Sequence, residues 1–213
     1  ILQDYPHCRL HVDATQAVGK IPVSFEGVDT MSLTAHKFYG LNGIGLLLKR
    51  RNLALEPLIH GGESTTIYRS GTPTVALASS LALALELAVE QLPEHAEAVQ
   101  KANAFLRTEL AKYPKVRINS PENAIPHILN LSVQDVKGTV FQRELNEEGV
   151  CVSVKSACSS DGLPSRAVFA VSRDRRNALS SWRVSLSHQT TEEDLRGFLA
   201  AFDRCYRGLT ETK

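Results

Sequence analysis

The sequence predicts an α/β chain that ends in a small α+β domain, and three observations carry that expectation. The first fifty residues alternate short β-prone apolar runs with turn-rich segments, a pair of helical patterns meets at Pro93, and strands and helices interleave beyond Pro114. With 213 residues, 43% of them hydrophobic and 22% charged, there is enough apolar material for a real core.

Strands are expected at Arg9 to Val12, Thr30 to Thr34 and Gly43 to Leu48. Their apolar runs lack strict alternation, as in strands covered on both faces. Thr72-Pro73 reads as a helix start, threonine as N-cap and proline at the first helical position, with the helix reaching about Gln91. After Pro93 a second helical pattern runs from Glu94 to about Lys112. Strands then follow near Val116 to Ile118, Ile128 to Val133 and Val150 to Val154, with a helix at Thr139 to Glu148 between the last two. A strand at Trp182 to Ser187 precedes a closing helix, whose Thr190 and Glu193 have the spacing of a capping box. The helical stretch near Pro93 is the expected boundary, dividing residues 1–92, the remainder of a larger α/β domain, from a small α+β domain at 93–213.

Bulk properties exclude several classes of function. The 24 basic and 23 acidic residues leave a formal charge of +1, so nothing global favours nucleic acid or a membrane surface as partner. The most apolar stretch, Val75 to Val89, is interrupted by Ser79, Ser80 and Glu86 and is short for a bilayer span. Cys8, Cys151, Cys158 and Cys205 form no CxxC pair and are too scattered for a disulfide framework, which fits a reducing cytoplasm. No metal site is expected, because Cys151 and Cys158 have no companion Cys or His at ligand spacing. The chain opens Ile1-Leu2-Gln3-Asp4, with neither an initiator methionine nor a signal peptide, and is expected to start within a longer protein.

Four segments and one arginine carry candidate chemistry. Asp13, in Asp13-Ala14-Thr15-Gln16, lies just past an apolar strand, where open α/β sheets place ligand groups. Its carboxylate could hold a protonated pyridine nitrogen or simply cap a turn, and Gln16 could donate to a ring oxygen or face water. Lys37 ends Ser32-Leu33-Thr34-Ala35-His36-Lys37 and could form a Schiff base with His36 beside it, although most lysines are solvated surface residues. Arg69-Ser70-Gly71-Thr72 precedes a helix and could bind phosphate, while Thr72 could also cap its own helix. Cys158 sits among small and polar residues in Lys155-Ser156-Ala157-Cys158-Ser159-Ser160, an expected exposed loop in which Lys155 could lower its thiol pKa. Cys151, inside an apolar run, reads as buried and inert. Arg183, within Trp182-Arg183-Val184, needs a partner, either a substrate carboxylate or a structural acid.

In order and approximate spacing, DATQAVGK, SLTAHKFYG, GIGLLLKR, HGGE, RSGT, SAC and WRVSL followed by TTEED resemble the NifS/IscS-like cysteine desulfurases, a branch of the fold-type I pyridoxal-phosphate (PLP) enzymes. The resemblance covers nearly the whole chain and implies the C-terminal part of a fold-type I large domain plus the small domain. It also implies PLP as cofactor, with Asp13 on the pyridinium nitrogen, Gln16 on the phenolic oxygen, Lys37 as the Schiff-base lysine, and Thr34 at the phosphate with His36 beside it. Thr72 would reach the phosphate of the other subunit, so a homodimer with shared active sites is expected. Arg183 would bind the α-carboxylate of L-cysteine, and Cys158 would take its sulfur as a persulfide for an acceptor or scaffold protein, as in iron–sulfur cluster biogenesis. After Arg183 the family's usual S-L-G-R is replaced by Ser185-Leu186-Ser187-His188.

A selenocysteine lyase or a class V aminotransferase is the alternative on the same scaffold, and the cysteine of SAC favours the lyases because simple transamination needs no thiol. A different class of reading is a truncated, non-catalytic dimerisation or interaction module. The family's large domain has a further N-terminal part, carrying the other phosphate-binding loop and a histidine stacked on the ring, which is expected upstream of Ile1 or as a separate chain.

Overall fold

The computed structural model describes residues 4–5, 7–62, 66–154 and 163–211, and the chain separates into two compact units, Ile1–Pro93 and Glu94–Lys213.

The first unit is built on a three-stranded sheet in the order β1 (His11–Asp13), β2 (Thr30–Thr34), β3 (Gly45–Lys49). β1 pairs with β2 in parallel and β3 antiparallel to β2. Asp29 helps to fix the parallel register: its carboxylate accepts the Leu10 N–H at 2.8 Å and its own N–H donates to the Leu10 carbonyl at 3.0 Å. On β2, Met31 and Leu33 alternate with half-buried Thr30, Ser32 and Thr34, and join Ala14, Val18, Ala35 and Phe38 in the core. α1 (Val75–Glu90) adds Leu81 and Ala88 to that core, while Val75, Leu83, Leu87 and Val89 remain exposed.

α2 (Leu92–Leu110) takes Pro93 into its first turn, where a missing N–H costs nothing, so the expected break at Pro93 is a helix start instead. α1 likewise begins at Val75 with Thr74 as N-cap, two residues beyond the predicted Thr72 cap.

In the second unit β4 (Val116–Ile118), β5 (Ile128–Val133) and β6 (Ser181–Ser185) form an antiparallel sheet in that order. Leu129, Leu131 and Val133 of β5 are fully buried and meet Val99, Leu106 and Leu110 of α2 in one core. α3 (Gly138–Glu147) supplies Phe141 and α6 (Glu192–Thr210) supplies Phe202; Trp182 of β6 packs against both, its ring 5.1 Å from Phe141 and 6.1 Å from Phe202, which are themselves 5.2 Å apart. Each large apolar side chain fully buried here is worth about 1.5–3 kcal/mol. Alternate residues of β5 are polar and feed a side-chain network: Asn119 donates to Asn130 at 2.9 Å and to Ser132 at 2.8 Å, and Asn177 donates to Asn119 at 2.9 Å. Asn177 lies on α5 (Arg175–Ser180), which with α4 (Arg166–Ser172) was not expected.

Two further expectations are corrected. Val150 to Val154 is not a strand, because only Ser153 bridges a neighbour, exchanging N–H···O bonds with Arg183 at 3.2 and 2.8 Å. The capping box of α6 is Thr191 with Asp194, one residue past the predicted pair, and Thr190 instead accepts the Ser187 N–H at 3.0 Å.

His188 stacks on His95, ring centroids 3.5 Å apart and planes 3° from parallel. Burial first, then the charge of His95, holds the His188 pKa below its ordinary value, with Glu94 pulling the other way. The folded state therefore favours the neutral ring. That contribution is present above the unfolded value of about pH 6.5 and is lost as pH falls through the lowered folded value. Urea unfolding should show stability dropping between pH 7.5 and 5.5, and His188→Gln should flatten part of that drop; an unchanged pH slope in the variant would contradict the assignment.

Candidate active site

Parallel pairing sets Asp13 opposite Ser32, so the carboxyl ends of β1 and β2 open at the same edge of the sheet. That edge is where open α/β sheets bind ligands. The chain leaves β1 in a tight turn: the N–H groups of Ala17 and Val18 both donate to the Ala14 carbonyl, at 2.9 and 3.1 Å, and buried Ala14 and Val18 anchor it. Asp13 Oδ1 accepts the Thr15 N–H at 3.0 Å, so the turn-capping role is present. Hydrogen bonding by Thr15, side chain before backbone, holds the exposed carboxyl below its usual range, so it is an anion at neutral pH. Gln16 is exposed on the same turn.

Beyond β2, residues Ala35–Lys37 make one 3-10 turn. Ala35 is completely buried, and its carbonyl accepts the N–H groups of Phe38 at 3.0 Å and Gly40 at 2.9 Å. With Ala35 and Phe38 fixed inside, His36 and Lys37 are exposed. The Thr34 hydroxyl donates to the Ile44 carbonyl at 2.9 Å and lies 3.2 Å from His36 Nδ1. Its single proton is thus committed, which makes Nδ1 of His36 the donor in that pair.

One residue outside the expected set joins these turns. Lys20 Nζ lies 3.5 Å from Gln16 Oε1 and 3.4 Å from the Lys37 carbonyl, and burial first, then the charge of Lys37, lowers its pKa. Thr72 is exposed and makes no hydrogen bond to Asp13, Gln16 or Lys37. The loop just before it is fastened to the Gly61 turn: Ser70 donates its N–H to the Ile59 carbonyl at 3.1 Å and its hydroxyl to the His60 carbonyl at 2.9 Å.

In the second unit Arg183 lies on β6, its Nε buried without a hydrogen-bond partner, and no ion pair joins it to a described residue. The structural acid considered from the sequence is therefore absent among the described residues. Arg183 lines a cleft of about 390 Å³ with Cys151, Ser153, Thr190, Asp194 and Phe198. Cys151 is exposed, contrary to the buried reading, because its segment pairs with a neighbour only at Ser153. Cys158 lies outside the described residues; the segment leading to it departs beside the Ser153–Arg183 bridge.

The family model for the aminotransferase class-V family matches residues 1–198. Among curated proteins, the chain is 38% identical to a cysteine desulfurase IscS of Dictyoglomus turgidum, an alignment covering 91% of this chain and 50% of that protein. It is 34% identical to an IscS-like cysteine desulfurase of Mycobacterium tuberculosis, covering 87% of this chain and 49% of the other. Among solved structures, a NifS-like protein superposes with a TM-score of 0.87 at 34% identity, covering 97% of this chain and 55% of that one. A NifS-like protein from Rickettsia africae gives 0.82 at 28% identity, covering 93% and 53%. The chain spans about half the length of the curated relatives it matches.

The turn bearing Lys37 has little slack, since a Cβ on Gly40 would meet Ala35 Cβ at 2.7 Å and Ala84 Cβ at 3.1 Å. Gly40→Ala should lower stability by about 1–3 kcal/mol in a denaturant titration. Wild-type stability in that variant would contradict the close seating of the turn.

Proposed function

This chain belongs to the aminotransferase class-V family, and on that premise we propose that it forms the C-terminal part of a PLP-dependent cysteine desulfurase acting on L-cysteine. The observation that carries the proposal is the placement of Asp13 and Lys37 at and just past the carboxyl ends of neighbouring, parallel strands, an anion and a lysine in turns that leave the same sheet edge. The names of its relatives favour the desulfurase over the aminotransferase and lyase alternatives.

The residues present fit the cofactor. Asp13 is exposed and held ionised by Thr15, as a partner for a protonated pyridine nitrogen must be. Gln16 offers an amide from the same turn, and the Lys37 amine is exposed for covalent attachment. Thr34, with His36 beside it, would hold the phosphate, its hydroxyl turning from the Ile44 carbonyl to donate. When bound, PLP supplies an electron sink for carbanions next to the amino group.

Around that sink the chain's own groups divide the work. Asp13 would hold the ring nitrogen in its protonated form, and Lys37 Nζ would attach the cofactor and serve as the general base that takes and returns the substrate's α-proton. Arg183, whose buried Nε has no partner, holds the substrate carboxylate in its planar fork. The Cys158 thiolate attacks the substrate sulfur: an S–S bond forms as the C–S bond breaks, its electron pair returns to the carbon skeleton, and alanine leaves after protonation. The sulfur then passes from the Cys158 persulfide to the thiol of an acceptor protein. Thr72, outside the Asp13 and Lys37 group, is assigned to the phosphate of a second subunit in a homodimer. A reducing, cytoplasmic setting completes the proposal, supported by the free thiols of Cys8, Cys151 and Cys205.

With the complete reading frame expressed and PLP supplied, the wild type should be yellow, Lys37→Ala colourless, and Cys158→Ser yellow but at least a hundredfold slower in releasing sulfide from cysteine. Colour in Lys37→Ala would refute the lysine assignment, and wild-type sulfide release by Cys158→Ser would refute the thiol.

A further inference from the structure

The turn after β1 is seated directly on the turn after β2. Gly19 has φ +74°, and a Cβ there would stand 3.0 Å from the Cβ of Phe38, the residue following Lys37. Only glycine suits both the left-handed backbone and the close approach. The next residue, Lys20, is consequently held across the Lys37 carbonyl, with its own N–H bonded to the Ala17 carbonyl at 3.0 Å and its ammonium 3.4 Å from Lys37 O and 3.5 Å from Gln16 Oε1. Both contacts are long for hydrogen bonds, so the interaction is chiefly that of one cation with two carbonyl dipoles. Half-burial of the lysine strengthens it.

We infer that Lys20 is a positioning residue for the cofactor site, fixing which face of the Gln16 amide is presented and bracing the main chain at Lys37. An ammonium has donors and no acceptor, so beside it Gln16 turns Oε1 inward and leaves its NH₂ as the outward group. An outward NH₂ is what a ring oxyanion requires, and a flipped amide would set oxygen against oxygen. Lys20 also adds a fixed positive charge near Lys37, shown by the charge of Lys37 helping to lower the Lys20 pKa.

This inference rests on the proposed PLP function, and the experiment separates the two. In the protein expressed with its complete reading frame, Lys20→Met, Lys20→Arg, Gln16→Ala and the Lys20→Met/Gln16→Ala double variant are titrated with PLP, following fluorescence quenching for the dissociation constant. Lys20→Met should bind PLP about tenfold more weakly. Lys20→Arg should restore most of the affinity, and the double variant should lose less than the two single losses combined. Circular dichroism and an unchanged unfolding midpoint identify the variants that are folded. A folded Lys20→Met with wild-type affinity overturns the inference while leaving the function intact. Strictly additive losses overturn the action through Gln16, and a wild type that takes up no PLP overturns both readings.

Discussion

The parallel pairing of β1 with β2 is the constraint on which the site depends. Were the two strands antiparallel, Asp13 and the turn ending at Lys37 would leave opposite ends of the sheet, and no small molecule could touch both. The register that sets Asp13 beside Ser32 is fixed at the other end of the strands, by Asp29 clasping the Leu10 backbone, and by alternating burial along β2. A one-residue slip would turn Met31 and Leu33 to the wrong face, so hydrophobic burial enforces the geometry of the polar groups. The turns beyond the strands follow the same logic: Ala14, Val18, Ala35 and Phe38 are buried, which leaves Gln16, His36 and Lys37 exposed between them.

The second unit solves a different problem, that of holding an arginine with no ion pair to any described residue. Trp182 and Val184 bury their side chains on either side of Arg183, and the backbone of Arg183 is bonded to Ser153. Its Nε is thereby removed from water with no protein partner, a cost of about 1–3 kcal/mol that a well-packed aromatic core around Trp182 can carry. Arg183 also lines the cleft with Cys151 and Ser153.

Much of this was legible in the sequence where a local pattern has one physical meaning. The β2 and β5 runs, the helix pair around Pro93 and the Asp13 turn follow from apolar spacing and turn chemistry alone. Errors arose where a pattern had two equal solutions. Thr190 with Glu193 and Thr191 with Asp194 both have capping-box spacing, and only the folded loop, in which Thr190 is used by Ser187, decides between them. Val150 to Val154 has a strand's composition, but composition does not supply a neighbour, so Cys151 is exposed. α4 and α5 are short, with too few turns to show a period. Lys20 was passed over because a lysine at a turn is ordinarily solvated; its position four residues after Gln16 was the signal, and a meaning came only when the β2 turn folded against it.

The central claim is that Lys37, placed by the parallel strand pair, is the residue that binds the cofactor covalently. Borohydride reduction of the PLP-loaded protein, followed by peptide mass analysis, reads this directly. A phosphopyridoxyl group on the peptide containing Lys37 is the predicted result. The same group on Lys20 or another lysine, with Lys37 unmodified, would contradict the account.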